Sequence, residues 1–173
     1  MKRLIVCVLC AVTFSVAARE VVRVGGYSFP PYVSRIADNR VEGISGQLLV
    51  ALNQVQNQYT FRFVPTSSKR RYRDFEQGRF DLMLFESPQW GWQGKPVRAS
   101  RIFLTGGEVY VARRAPARDQ RFFDSLDDKR IVAILGYHYG FANFVADEEV
   151  LHSRFDILLS TSHMGSLRAV LLS

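Results

Sequence analysis

What this 173-residue chain lacks narrows its chemistry first. It has two cysteines, Cys7 and Cys10, and both lie in an apolar N-terminal run. From residue 19 onward there is none, which excludes thiol catalysis, thiolate metal sites and disulfides there. The three histidines, His138, His152 and His163, form neither an i, i+4 pair nor a metal-ligand spacing. No glycine-rich phosphate cradle occurs, since Gly25-Gly26 and Gly106-Gly107 are isolated pairs, and no serine sits in a nucleophile elbow. There are no repeats, no low-complexity tract and no long run of like charge. Hydrolytic and redox enzymes are therefore disfavoured, while acid–base chemistry by isolated carboxylates stays open. No catalytic, cofactor-binding or metal-ligating residue is assigned.

The apolar and aromatic shares, 47% and 13%, are too high for a disordered chain. Met1-Lys2-Arg3 precedes an uncharged apolar stretch, residues 4–16, and then the small residues Val16-Ala17-Ala18. That is the layout of a signal peptide spanning 1–18, cleaved after Ala18, and it leads us to expect a periplasmic protein. The stretch is short for the ~20 residues of a membrane span. Leu9 before Cys10 is unlike the small residue that a lipoprotein cleavage site prefers. Without residues 1–18 the charge falls from +7 to +5, with 21 basic against 16 acidic residues over 155. The basic excess is mostly arginine, scattered along the chain, and reads as solvated surface; no nucleic-acid partner is expected.

Several segments have the pattern of regular elements. Residues 21–24 are mostly β-branched and end at Gly25-Gly26, and Pro30-Pro31 then imposes an irregular extended loop. Residues 44–56 repeat apolar side chains at helical spacing, 59–64 alternate like a strand, and 68–77 form a polar helix closed by Gly78. The mostly apolar run 80–85 suits a strand buried on both faces. Residues 108–112 predict a further strand, and the basic segment 113–121 marks a boundary. Beyond it, strands are expected over 130–135 and 155–159, and helices over 139–145 and 162–172. This alternation predicts an α/β architecture with parallel strands.

In open α/β sheets, ligands sit beyond the carboxyl ends of the strands. Those loops hold Tyr27 and Tyr32, then Glu86-Ser87 with Trp90 and Trp92, then Tyr137-His138-Tyr139. Aromatic surface with a few polar groups is the composition of a small-molecule pocket, though single aromatics also simply cover loop edges.

The order of several motifs adds a family resemblance. VRVGGYSFPPY at 22–32 has a strand, glycine and a Pro-Pro-aromatic turn. Val41-Glu42-Gly43-Ile44 with Leu48 resembles the start of a first helix. Pro65, Arg70, Gly78 and Asp81 follow a Pro…Arg…Gly-x-x-Asp pattern, and Ser125-Leu126 precedes KRIVAILGYHYG. Together these resemble the family 3 extracellular solute-binding proteins, the periplasmic components of amino-acid-type ABC transporters. The resemblance implies a type II periplasmic-binding fold of two α/β lobes that close on a solute. Lobe one would span 19–112, a crossover 113–121, and a partial lobe two 122–173. Its ligand contacts would fall on Tyr27, Tyr32, Glu86, Ser87, Trp90, Tyr137 and Tyr139. Arg70 matches an arginine of one branch, or is a surface residue among Lys69, Arg71 and Arg73. The implied partners are a small-molecule solute and an ABC transporter permease in the inner membrane, with a complete protein monomeric and no cofactor.

Two departures shape the expected ligand. The stretch 86–92 (ESPQWGW) lacks the carboxylate-clamping arginine of typical amino-acid binders, and Gln47 stands where aspartate is common. A carboxylate beside two tryptophans instead suits a cationic or amine-bearing solute. The sequence also stops at Ser173 inside an apolar helix, where the family's second lobe continues, so a truncated chain is expected. The alternatives are a ligand-sensing ectodomain of the same fold or a non-functional fragment; an enzyme on this scaffold is disfavoured.

Overall fold

The computed structural model describes residues 19–37 and 40–172. The expected signal peptide, with Cys7 and Cys10, lies outside them. The described residues form a mixed α/β structure with two small parallel sheets and one antiparallel hairpin. None of the helices among the described residues is long and apolar enough to cross a membrane.

The first sheet is built on β1 (Glu20–Gly26), whose β-branched run fits a pleated surface. β4 (Tyr59–Pro65) pairs with it in parallel along its whole length, from Glu20 opposite Tyr59 to Gly26 opposite Pro65. A parallel pair needs a crossover, supplied by the helix α1 (Ile44–Val55), which packs on β4. Before it, β2 (Arg35–Ala37) and β3 (Arg40–Glu42) form the hairpin, an element the sequence reading did not anticipate. The helix α2 (Arg71–Glu76) then leads to β5 (Leu82–Met83) on the other side of β1, giving the order β4-β1-β5.

Gly25 and Gly26 continue β1 rather than ending it. A Cβ on Gly25 would stand 2.6 Å from the Phe80 ring, and one on Gly26 2.5 Å from Phe63. The pair is a packing requirement of two rings pressed on the sheet. The Gly-x-x-Asp motif is likewise structural. The Arg23 guanidinium donates to the Gly78 carbonyl at 2.5 Å and to both oxygens of Asp81, at 2.5 and 2.9 Å. It thereby locks β5 to β1 and holds the Asp81 carboxyl below the usual carboxylate range.

The second sheet pairs β6 (Ile131–Ile134) with β7 (Ile157–Ser160) in parallel, with α3 (Glu148–Arg154) as crossover. Asp147 caps α3 by accepting from the Val150 N–H at 3.0 Å. Glu148 and Glu149 lie in its first turn and His152 and Arg154 in its last, all complementing the helix dipole. Ala133, Ala142, Leu151 and Ile157 form its core, against which Tyr139, Phe141 and Phe155 pack. The helix α4 (His163–Leu172) lies on β6 and β7 and leaves Leu167, Leu171 and Leu172 exposed.

Three expectations need correction. The strand expected over 80–85, buried on both faces, shrinks to the two half-buried residues of β5. Residues 108–112 form no strand, and 101–111 are exposed throughout, with Val109 at 84% and Val111 at 70%. Strand propensity describes fit to a sheet, and no described sheet edge receives this segment. Within 139–145 only a three-residue 3₁₀ turn, Gly140–Ala142, forms; Asn143 follows it in the left-handed region, φ 52°.

Candidate functional site

The carboxyl ends of β1 and β5 and the loop after β6 converge on one buried network. Its centre is a residue the sequence reading had placed among surface cations. Arg71, the first residue of α2, is fully buried, whereas Arg70 before it is exposed and its side chain donates to Ser67 Oγ. A helix turns 100° per residue, so neighbours face different ways; Arg71 and Asp74, three apart, share the inward face. Arg70, which the resemblance singled out, is thus exposed beside this buried network, and its neighbour Arg71 stands within it.

The Arg71 guanidinium packs on the faces of Tyr27, 5.0 Å from the ring centroid, and Tyr72, 4.5 Å. Its Nη1 donates to the Ser68 carbonyl and its Nη2 to the Trp90 carbonyl at 3.4 Å. Its Nε lies 3.2 Å from Glu86 Oε2 as an ion pair, too far off line for a hydrogen bond. Glu86 in turn accepts from the Tyr27 hydroxyl at 2.8 Å on Oε1 and from Trp92 Nε1 at 2.6 Å on Oε2. Phe85, at φ 58°, directs the chain into this position, a conformation that non-glycine residues rarely adopt.

Burial raises the Glu86 pKa, opposed by Arg71, Trp92 and Tyr27. Burial also pushes Tyr27 far up, reinforced by the Glu86 charge. The carboxylate expected to meet a cationic solute is thus already committed to an internal cation and two internal donors.

The second unit reaches this network through its β6 loop. Gly136, at φ 75°, passes so close to the turn leading into α2 that a Cβ there would stand 2.8 Å from Lys69 Cγ and 2.9 Å from Ser68 Oγ. Ser68 Oγ donates to the Leu135 carbonyl at 2.9 Å, and Lys69 pairs with Glu148. Tyr137 donates its hydroxyl to the Ser28 carbonyl at 2.5 Å and sets its ring edge against Tyr27 and Phe29. His138 Nε2 lies 2.8 Å from the Tyr72 hydroxyl, which also reaches the Trp90 carbonyl at 2.6 Å. Its Nδ1 faces the Phe144 carbonyl at 2.5 Å. Burial lowers the His138 pKa, against that last bond.

The other expected residues divide by role. Tyr32 stacks on Phe85 at 4.5 Å and touches Phe29 at 5.2 Å, joining the aromatic set. The Trp90 ring meets Phe29 edge-on at 5.8 Å. Ser87 shapes a turn, its carbonyl accepting from Trp90 N and its hydroxyl from Gln89 N. Tyr139 belongs mainly to the second core, its hydroxyl oxygen accepting from Ile134 N at 2.7 Å. Arg71, Tyr72, His138, Trp92 and Phe29 complete the site. Only the helical phase of α2 could have picked out Arg71 from sequence.

The space left is small: about 10 Å³ among Gly25, Tyr27, Phe29, Tyr32 and Glu86, enough for one water. No group of three metal-ligating side chains occurs among the described residues. No protein-family model, curated protein or solved structure matches the chain.

Proposed function

We propose that this chain is a solute-binding protein of the type II periplasmic-binding kind, exported to the periplasm and delivering a small polar solute to an ABC transporter permease. One observation carries the reading. The loops after β1, β5 and β6, from two separate parallel βαβ units, meet in an aromatic-lined crevice around Tyr27, Glu86 and Tyr137. Crevices beyond the carboxyl ends of parallel strands are where α/β folds hold ligands. The parallel sheet β4-β1-β5, with Arg23 clamping Gly78 and Asp81 of the Gly-x-x-Asp motif, supports an α/β scaffold for such a crevice.

Binding proceeds by separation and closure of the two units about the crevice, a hinge motion. Glu86 remains with Arg71 throughout, because either charge left alone in the interior is strongly destabilising. An amine-bearing solute therefore gains no counter-ion from Glu86 while that pair holds. The role of the pair is to fix Tyr27, Tyr72 and Trp92 as a rigid wall.

A thermal-shift screen of amino acids, amines and other small metabolites tests the proposal. A solute at a hundred times its Kd stabilises the folded chain by about 2.7 kcal/mol, and a clear rise in melting temperature is expected for at least one class. A flat response across the whole panel would sink the transport reading.

A further inference from the structure

The crevice is filled by a side chain from the opposite unit. Tyr137 follows β6, yet its ring lies among the first unit's aromatics. Its centroid is 5.9 Å from Tyr27 at 73° and 5.5 Å from Phe29 at 83°, both edge-to-face. His163 of α4 closes the other side at 5.7 Å and 68°. The phenol oxygen donates to the Ser28 carbonyl at 2.5 Å. Together these make a ring-sized slot with aromatic walls and one acceptor at its end.

Room for a solute arises only if some group leaves, and the candidates differ sharply. Arg71 and Glu86 hold each other in the interior, and Tyr27 is tied to Glu86. The Tyr137 side chain is held by one hydrogen bond and ring contacts, and it directly follows the turn at Leu135-Gly136, where its N–H bonds within its own unit to the Ile134 carbonyl. It is the group that can swing out with the second unit.

We propose that Tyr137 is an internal stand-in for the solute, and that the slot it vacates takes a small neutral aromatic ring bearing a hydrogen-bond donor, such as a phenol or an indole. This rests on the solute-binding reading and narrows its solute. The ring of the guest meets Tyr27 and Phe29 edge-to-face, as Tyr137 does, and its donor takes the Ser28 carbonyl. The guest is neutral because the nearby charges, Arg71 and Glu86, are already paired with each other. Tyr137 and the guest compete, so the apparent affinity is the intrinsic one reduced by the fraction of molecules in which Tyr137 is out.

The test is calorimetric titration of the full chain and its Tyr137→Ala and Tyr137→Phe variants with 4-methylphenol and 4-methylcyclohexanol. Tyr137→Ala is expected to bind 4-methylphenol roughly tenfold more tightly than the unaltered chain, for a competitor that fills the slot about nine-tenths of the time. Tyr137→Phe, which keeps the ring and loses the Ser28 bond, should show a smaller gain. No gain in a Tyr137→Ala protein that still unfolds cooperatively would overturn the proposal, as would equal affinity for the cyclohexanol. If that variant does not fold, hydrogen exchange on the unaltered chain decides. Amides of residues 134–140 should exchange faster with 4-methylphenol at saturation, and unchanged or slower exchange overturns the idea. A non-aromatic metabolite that stabilises the chain and Tyr137→Ala equally would sink the aromatic slot and leave the transport reading standing. Tight 4-methylphenol binding with a silent metabolite panel would do the reverse.

Discussion

The two parallel βαβ units of this protein are built alike and filled differently. β6, α3 and β7 enclose Ala133, Ala142, Leu151 and Ile157, an interior of hydrocarbon. The unit on β1 has apolar residues on its sheet, such as Val24 and Phe80, but beside them buries Arg71 and Asp74 from α2. Apolar burial gains free energy from every contact, whereas a buried ion pair gives back most of its attraction as lost hydration. The units therefore draw on different sources of stability and should fail in different ways.

The sharpest break in that comparison comes from removing one member of the charge pair. Glu86→Ala leaves the Arg71 guanidinium, 0% exposed, without its carboxylate, and is expected to cost about 4 kcal/mol in urea unfolding. The double change Arg71→Met with Glu86→Leu should cost clearly less than either single one, because an apolar pair of similar volume needs no hydration. A double variant as unstable as Glu86→Ala would show that the donors Tyr27 and Trp92, left without Glu86, outweigh the charge there.

Next in size is the hydrocarbon core. Leu151→Ala removes a side chain 1% exposed at its centre and should cost about 3 kcal/mol, by lost transfer energy and a residual cavity. Unlike Glu86→Ala, its penalty should not vary across the acid range.

A smaller effect has a pH signature. Thr66 donates to Asp74 Oδ2 at 2.6 Å, and that bond is the largest reason the Asp74 pKa is lowered, with nearby arginines adding to it. A lowered folded-state pKa contributes stability that is present above the unfolded value, about 4, and lost as pH falls through the folded one. Thr66→Val should therefore cost about 2 kcal/mol at pH 7, and the difference should shrink towards zero as pH drops below about 4. A penalty unchanged at pH 3 would assign it to packing.

The least effect is expected at the rim between the units. Lys69 and Glu148 pair there with about half of each side chain exposed, and Glu148→Gln should change stability by less than about 1 kcal/mol. A larger loss would mean that the rim, rather than the buried network, holds the units together.

Much of this arrangement was legible before the structure, for identifiable reasons. The helix over 44–55 and the strands at 59 and 131 announce themselves through apolar spacing, although burial follows it only in part: Leu49 turns inward, while Val55 stays exposed and Ser45 is buried. The Gly78-x-x-Asp81 motif was visible, though its purpose, gripping Arg23, depends on a partner 55 residues away in sequence. Arg71 was hidden because nothing in a run of basic residues tells which one turns inward. That depends on where α2 begins, one residue later than Arg70. α3 could have been found from its Asp147 cap and its acidic-to-basic polarity, but its seven residues carry little apolar repeat. The segment 108–112 misled in the opposite sense: its residues suit a strand, and pairing is a property of two segments, not one.

The Tyr72 hydroxyl carries one further consequence. His138 Nδ1 faces a carbonyl, so that nitrogen holds the ring's proton and Nε2 of the neutral ring is bare. Tyr72 then stands between two acceptors, the Trp90 carbonyl and Nε2, with a single hydrogen to offer. Whenever that hydrogen turns towards Trp90 it fastens α2 to its own unit, and whenever it turns towards His138 it fastens α2 to the other. Among the links of the seam, such as Ser68 to Leu135 and Tyr137 to Ser28, this one alternates: a single hydroxyl rotor, turning about one bond, divides its allegiance between the two halves.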